Sequence, residues 1–264
     1  MQPYDASSPF AALPADAPPK PGAGPDRLQY GRAWSYAFES SQWALNLLFG
    51  TIVTFIPVIG PLLLYGYQFE IIESLHRDPR RTYPDFDFSR FADYLVRGVW
   101  VFLVGLIVAV VLMPLSLVLY IGGMIVVAAT ASAAGEEAAG IVVAVGFILV
   151  ALAIFVVTLP LTVAFTPLMI RAGLSQDLSV AFDFAWIKSF LAKTWKEIAL
   201  GTLFLIVTSP LVVLLGAVFF CVGMYPAMVL VMLAQAHLYY QYYELFLRRG
   251  GEPVPLKDPQ QQGW

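Results

Sequence analysis

Cysteine is almost missing from this sequence, histidine occurs only twice, and charge is sparse. The single Cys221 excludes an intrachain disulfide, and within its apolar run it reads as a small buried hydrophobe. His76 and His237 fall in different segments. No His-Glu-x-x-His, glycine-rich phosphate loop or cysteine pair is present, so no recognised catalytic or metal spacing occurs. No cofactor and no enzymatic activity are therefore expected. Only 12% of the 264 residues are charged, against about 25% in an average soluble domain. The net charge of −3 points to no nucleic-acid partner.

Apolar length takes the place of charge. Hydrophobic residues make up 59% of the chain, and the charges cluster so that 40–69, 98–135, 138–170 and, apart from His237, 198–243 carry none. Roughly 20 apolar residues cross a bilayer core, so each stretch spans at least once. The last stretch has 46 residues, about 69 Å as helix. It must turn back on itself, near 199–220 and 226–247, around Gly223-Met224-Tyr225-Pro226. In the first stretch Ile56-Pro57-Val58-Ile59-Gly60-Pro61 removes backbone donors. Length alone leaves two readings there, one kinked span or a hairpin of 33–55 and 61–75.

Charge arbitrates. With hairpins at both ends and single spans in the middle, all 15 Lys and Arg fall on one side of the membrane, and the other receives only Glu136 and Glu137. Five spans would split the basic residues 12 to 3. Basic residues are retained in the cytoplasm, so the fold class read here is an all-α polytopic membrane bundle. It has about six membrane helices, both termini cytoplasmic, and two or three interfacial amphipathic helices. The membrane domain covers 28–249. Residues 1–27, rich in Pro and Ala with no signal-peptide pattern, and 250–264 read as disordered, solvated tails.

The polar residues near the membrane define the candidate sites. His237, Gln241, Glu244 and Arg248 share one helical face; Tyr67, Glu70, Ser74 and Arg77 share another. Short echoes link the two end hairpins: Tyr36-Ala37-Phe38-Glu39 with Val180-Ala181-Phe182-Asp183, and Tyr67-Gln68-Phe69-Glu70 with Tyr240 to Glu244. Ionisable groups at membrane depth pair or line polar paths. Glu70, His237, Gln241 and Glu244 are therefore the candidate path, with Glu70 and Glu244 facing each other or basic residues. The bland reading is emergence into headgroups, with Tyr239, Tyr240, Tyr242 and Tyr243 as an interfacial belt. His76 is expected in a solvated loop. Arg77, Arg80, Arg81, Phe86, Phe88 and Arg90 describe a basic, aromatic surface lying against anionic lipid, with Asp87 as an N-cap. Surface helices are also expected at 28–42 and 179–196. Asp85 and Asp87 fall far short of the six to eight oxygens a calcium site needs.

Three motifs carry a family likeness: Pro61-Leu62-Leu63-Leu64-Tyr65-Gly66-Tyr67; Thr82-Tyr83-Pro84-Asp85-Phe86-Asp87-Phe88 ahead of Phe91, Arg97 and Gly98; and Ala181-Phe182-Asp183-Phe184. The chain resembles, over about 28–249, the prokaryotic membrane family catalogued as domain of unknown function 4013. It departs in having Tyr83 before Pro84, where a Leu-Pro pair is usual. The resemblance implies a polytopic inner-membrane protein and supplies no catalytic residue. The expected role is a structural or assembly subunit whose partners are the lipid bilayer and a protein or second copy. A small transporter or channel is the alternative.

Overall fold

Prolines and glycines cut the apolar stretches into helices, and the cuts decide the topology. The computed structural model describes residues 27–78, 83–218 and 222–256, and all regular structure among them is helical. The helices are α1 (Tyr30–Ser35), α2 (Trp43–Thr54), α3 (Ile59–Arg77), α4 (Phe91–Ala133), α5 (Glu136–Ser175), α6 (Leu178–Ala181), α7 (Phe184–Ala217) and α8 (Met224–Arg248). Short 3-10 turns occupy Tyr36–Phe38 and Phe88–Arg90. The fold is thus an all-α bundle. In it α4, α5 and α7 are long and apolar enough to cross a membrane, and α2 is apolar but only 12 residues long.

The first apolar stretch is a hairpin. Val58 turns the chain between α2 and α3 at φ 65°, ψ −51°, with the Ile59 amide donating to the Pro57 carbonyl at 2.7 Å. This is a tight γ-turn of the strained, positive-φ kind. The last stretch is also a hairpin, formed by α7 and α8. Residues 219–221, Cys221 among them, lie outside the described residues, as do 1–26 and 257–264.

Close backbone crossings set the register. A Cβ on Gly66 would collide with the Tyr94 backbone, and one on Gly98 with the Leu62 backbone, so α3 and α4 cross where only hydrogen fits. This antiparallel register puts Val58 level with Phe102. From there α4 runs on to Ala133, about 45 Å of helix. Along that length it packs on α5, Gly123 against Val150 and Gly146 against Val127. The α4–α5 hairpin therefore reaches far past the turns of the other two hairpins, with Val110, Val118, Ile125, Ile148 and Val156 exposed on it.

The core lies at the opposite end and is aromatic. Tyr67, Phe86 and Tyr94 form one group of rings, with centroids 5.1–5.8 Å apart; Trp186, Phe190 and Phe246 form another at 4.6–5.1 Å. Several expectations are corrected here. Tyr240, Tyr242 and Tyr243 are buried and face helices, so they form core rather than a headgroup belt. The segment read as a surface helix at 179–196 is most of α6 and the first turns of α7, with Trp186 and Phe190 turned into the core, and the stretch after Asp87 leads into the first turn of α4, with Tyr94 turned inward. The C-terminal segment begins docked: the Val254 amide donates to the Tyr243 hydroxyl at 2.9 Å, and the Trp186 indole donates to the Glu252 carbonyl at 2.8 Å.

Candidate functional site

The helix ends opposite the long hairpin's tip converge on one charged layer: the C-terminal ends of α3, α5 and α8 and the N-terminal ends of α2, α4 and α7. Three α3 side chains stand one helical turn or less apart, Glu70, Glu73 and His76, and each meets a partner from another element. Glu70 takes Arg90, and Glu73 takes Arg97 of α4 at 2.6 Å and Arg77 at 2.7 Å. His76 Nδ1 lies 2.5 Å from Glu244 of α8. Glu70, Glu73, His76, Arg97 and Glu244 are all buried, which is tolerable only because each is paired.

A second polar chain ties α1 to α8. Gln241 donates to His237 Nδ1 at 2.7 Å, and its side-chain carbonyl accepts from the Gln29 amide at 2.6 Å. The Tyr36 ring covers His237 with centroids 4.6 Å apart.

The loop after α3 is folded onto the bundle by hydrogen bonds. Asp85 accepts from Ser40 and from Asn46 of α2, both at 2.9 Å, and Asn46 accepts from the Phe86 amide at 2.9 Å. The Tyr67 hydroxyl donates to the Pro84 carbonyl at 2.8 Å, and Tyr83 donates to the Ala37 carbonyl. Asp87 caps the following turn through the Ser89 amide at 2.8 Å, as its position before Phe88 predicts. On the other side of the molecule Asp183 accepts from the Trp186 amide at 3.1 Å, capping α7, and pairs with Arg171 at 2.9 Å. The Arg171 guanidinium also stacks on the Trp186 ring at 4.7 Å. Such contacts hold the Asp87 and Asp183 carboxyls below the usual aspartate range, the hydroxyl and then the amide of Ser89 acting on the first and the Trp186 amide on the second.

Three expectations change against this geometry and one narrows. Of the two alternatives for Glu70 and Glu244, facing each other or basic residues, the structure has the second: Glu70 meets Arg90, and Glu244 meets His76, one and a half turns further along α3. The hairpin echo that equated the two glutamates therefore has no counterpart in space. His76 belongs to α3 and is buried, not solvated. Phe86 is buried among rings, and Arg77 and Arg90 point at α3 carboxylates, so these three do not form a lipid-facing surface; Phe88 does remain exposed. Arg80 and Arg81 lie outside the described residues. Glu73 and Arg97, a buried ion pair, were not paired from the sequence, where Arg97 stood only as a motif residue. An acid and a base flanking the same loop, each beside an apolar helix, was the available signal.

The site defines a class: a helical bundle with membrane-length apolar helices and a self-neutralised charged layer at one end. The chain belongs to the family described as Protein of unknown function (DUF4013), whose profile matches residues 49–236. The match is narrower than the sequence likeness and leaves α1 and Glu244 outside it. No curated protein and no solved structure matches the chain.

Proposed function

We propose that this protein is a multi-pass membrane protein without enzymatic activity that serves as a structural or assembly subunit. Its six longer helices form three hairpins embedded in the bilayer, with the charged layer and both termini cytoplasmic. The placement is supported by the basic residues, which among the described residues lie in the segments at the charged end of the fold. A prokaryotic inner membrane is what the resemblance to the family implies. The role is supported by one observation above others. The acids and imidazoles proposed for a polar path are consumed by partners within the fold: Glu70 by Arg90, Glu244 by His76, and His237 by Gln241 beneath Tyr36. A proton or solute path needs such groups facing water; a rigid docking platform needs them locked.

Three experiments test this. In a Cys221→Ala background, a single cysteine at Ala134, at the tip of the long hairpin, should react with an impermeant thiol reagent from outside intact cells. One at Lys188 should react only after permeabilisation; labelling of Lys188→Cys from outside would sink the placement. Phe184, exposed by 75% at the charged end, is the position for a photocrosslinking amino acid. One specific protein adduct, or a dimer of the chain, is expected, and adducts to lipid alone would overturn the assembly role. Proteoliposomes should show no proton or solute flux with either the native chain or Glu244→Gln. Flux abolished by Glu244→Gln would restore the transporter.

A further inference from the structure

Beyond α8 the chain turns back, and 252–256 lie as a strap across the first turns of α7 and the end of α8. Gly250 makes the turn at φ 72°, with the Gly251 amide donating to the Phe246 carbonyl at 2.9 Å. Lys193 fixes it by donating to the Arg249 carbonyl at 2.6 Å and the Gly250 carbonyl at 2.8 Å. Past Gly251 the attachments are few. The Trp186 indole donates to the Glu252 carbonyl, and the Val254 amide donates to the Tyr243 hydroxyl. Val254 is 3% exposed, Leu256 is half-buried, and Glu252, Pro253 and Pro255 are exposed. One buried side chain and two hydrogen bonds are a small gain against the ordering of five residues, so the strap is held loosely. Its seat is nonetheless specific. The Trp186 indole nitrogen and the Tyr243 hydroxyl make no other hydrogen bond among the described residues, and these side chains are only 4% and 0% exposed. Polar groups buried to that degree are kept paired, so an open strap calls for another segment in its place.

We propose that this seat docks an extended, proline-flanked aliphatic segment of a partner protein, and that the strap fills it in cis until such a partner displaces it. The strap shows the chemistry required: a carbonyl for Trp186, an amide for Tyr243 and an aliphatic side chain at Val254. Glu252 and Val254 each precede a proline, which holds them extended. The prolines have no amide to leave unmade, and the amide between them is the one the seat uses. Aromatic-lined seats take proline-rich chains in this way; here Trp186 and Phe246 meet with ring centroids 5.1 Å apart. The inference rests on the assembly reading for the existence of a partner. Peptide binding to the purified chain succeeds or fails independently of crosslinking at Phe184.

The test titrates the full chain in detergent against a fluorescent peptide with the sequence of 251–256, Gly-Glu-Pro-Val-Pro-Leu, followed by anisotropy. A strap in cis competes at an effective concentration of about millimolar, so the native chain should bind the peptide weakly. Val254→Asp in the chain ejects the strap, leaves the seat whole and should tighten binding at least about tenfold. Pro253→Gly with Pro255→Gly loosens the strap from its exposed side and should tighten binding about threefold even if Val254→Asp folds poorly. Trp186→Phe or Tyr243→Phe, added to Val254→Asp, removes one polar atom and should weaken binding about five- to tenfold. A peptide with Asp in place of its Val should not bind, and one sharing only Pro-Val-Pro should bind within about threefold of the original. No binding to either opened chain, or binding indifferent to the peptide's Val, would overturn the proposal. So would a dimer of the native chain that the peptide dissociates, because it would assign the seat to a second copy.

Discussion

Glu73 and Arg97 are each under 12% exposed at the side chain and 2.6 Å apart, across the crossing of α3 and α4. Breaking a buried pair strands the remaining charge and costs about 3–5 kcal/mol, whereas replacing both members by apolar groups is often neutral. Arg97→Leu should therefore lower stability by about 3 kcal/mol, and Glu73→Leu with Arg97→Leu should recover most of it, as read by denaturant unfolding in micelles. Arg77 is 43% exposed and stays solvated in the double variant. At Asp183 the sign is set by a lowered pKa. Its contribution is complete above the ordinary aspartate value of 3.8 and is lost as pH falls through and below it. Asp183→Asn should flatten the fall of Tm below about pH 4; an unchanged slope would remove the carboxylate from the acid response. Asp87 was legible from sequence as a cap because capping is local, two or three residues long. The His76–Glu244 contact was not legible, because it joins residues 168 apart whose relative height depends on the parallel packing of α3 and α8.

Helices were largely legible as elements, since long uncharged stretches and Pro/Gly breaks act locally. Both end hairpins and the two middle helices form where composition puts them. What composition did not reveal is where a helix begins to pack: α4 and α7 start several turns earlier than their apolar runs, on aromatic faces that read as surface helices when no partner is in view. The α2–α3 turn provides a test. Val58 is β-branched at positive φ, a strain of about 1–3 kcal/mol, and it is exposed by 66%. Val58→Gly should raise stability by about 1 kcal/mol, visible as a higher Tm. At the α3–α4 crossing the direction reverses. Gly66→Ala puts a methyl into the Tyr94 backbone and should cost about 2–3 kcal/mol. Gly122→Ala, with open space around it, should cost nothing and gain helix propensity.

The shape of the whole molecule is uneven: a charged, aromatic base and a two-helix hairpin reaching well past the other turns. A bilayer core is about 30 Å thick, and the apolar length of α4 exceeds it, so the hairpin fits a membrane only by tilting or bending. Its sequence carries the means. Gly123 against Val150 and Gly146 against Val127 set a register that places Pro114 of α4 level with Pro160 of α5. Each proline lacks the amide that would bond the carbonyl four residues back, at Val110 and Val156, and clashes with it. Two such breaks at one height form a hinge across both helices, and Val110 and Val156 are exposed there. In lipid nanodiscs, spin labels at Ala134→Cys and Lys188→Cys in the Cys221→Ala background should give a broad distance distribution. Pro114→Ala with Pro160→Ala should narrow it and move it to longer distance, because two straight helices lift the tip away from the base. A distribution unchanged by the double replacement would show that the prolines are rigid kinks, and that tilt alone accommodates the hairpin.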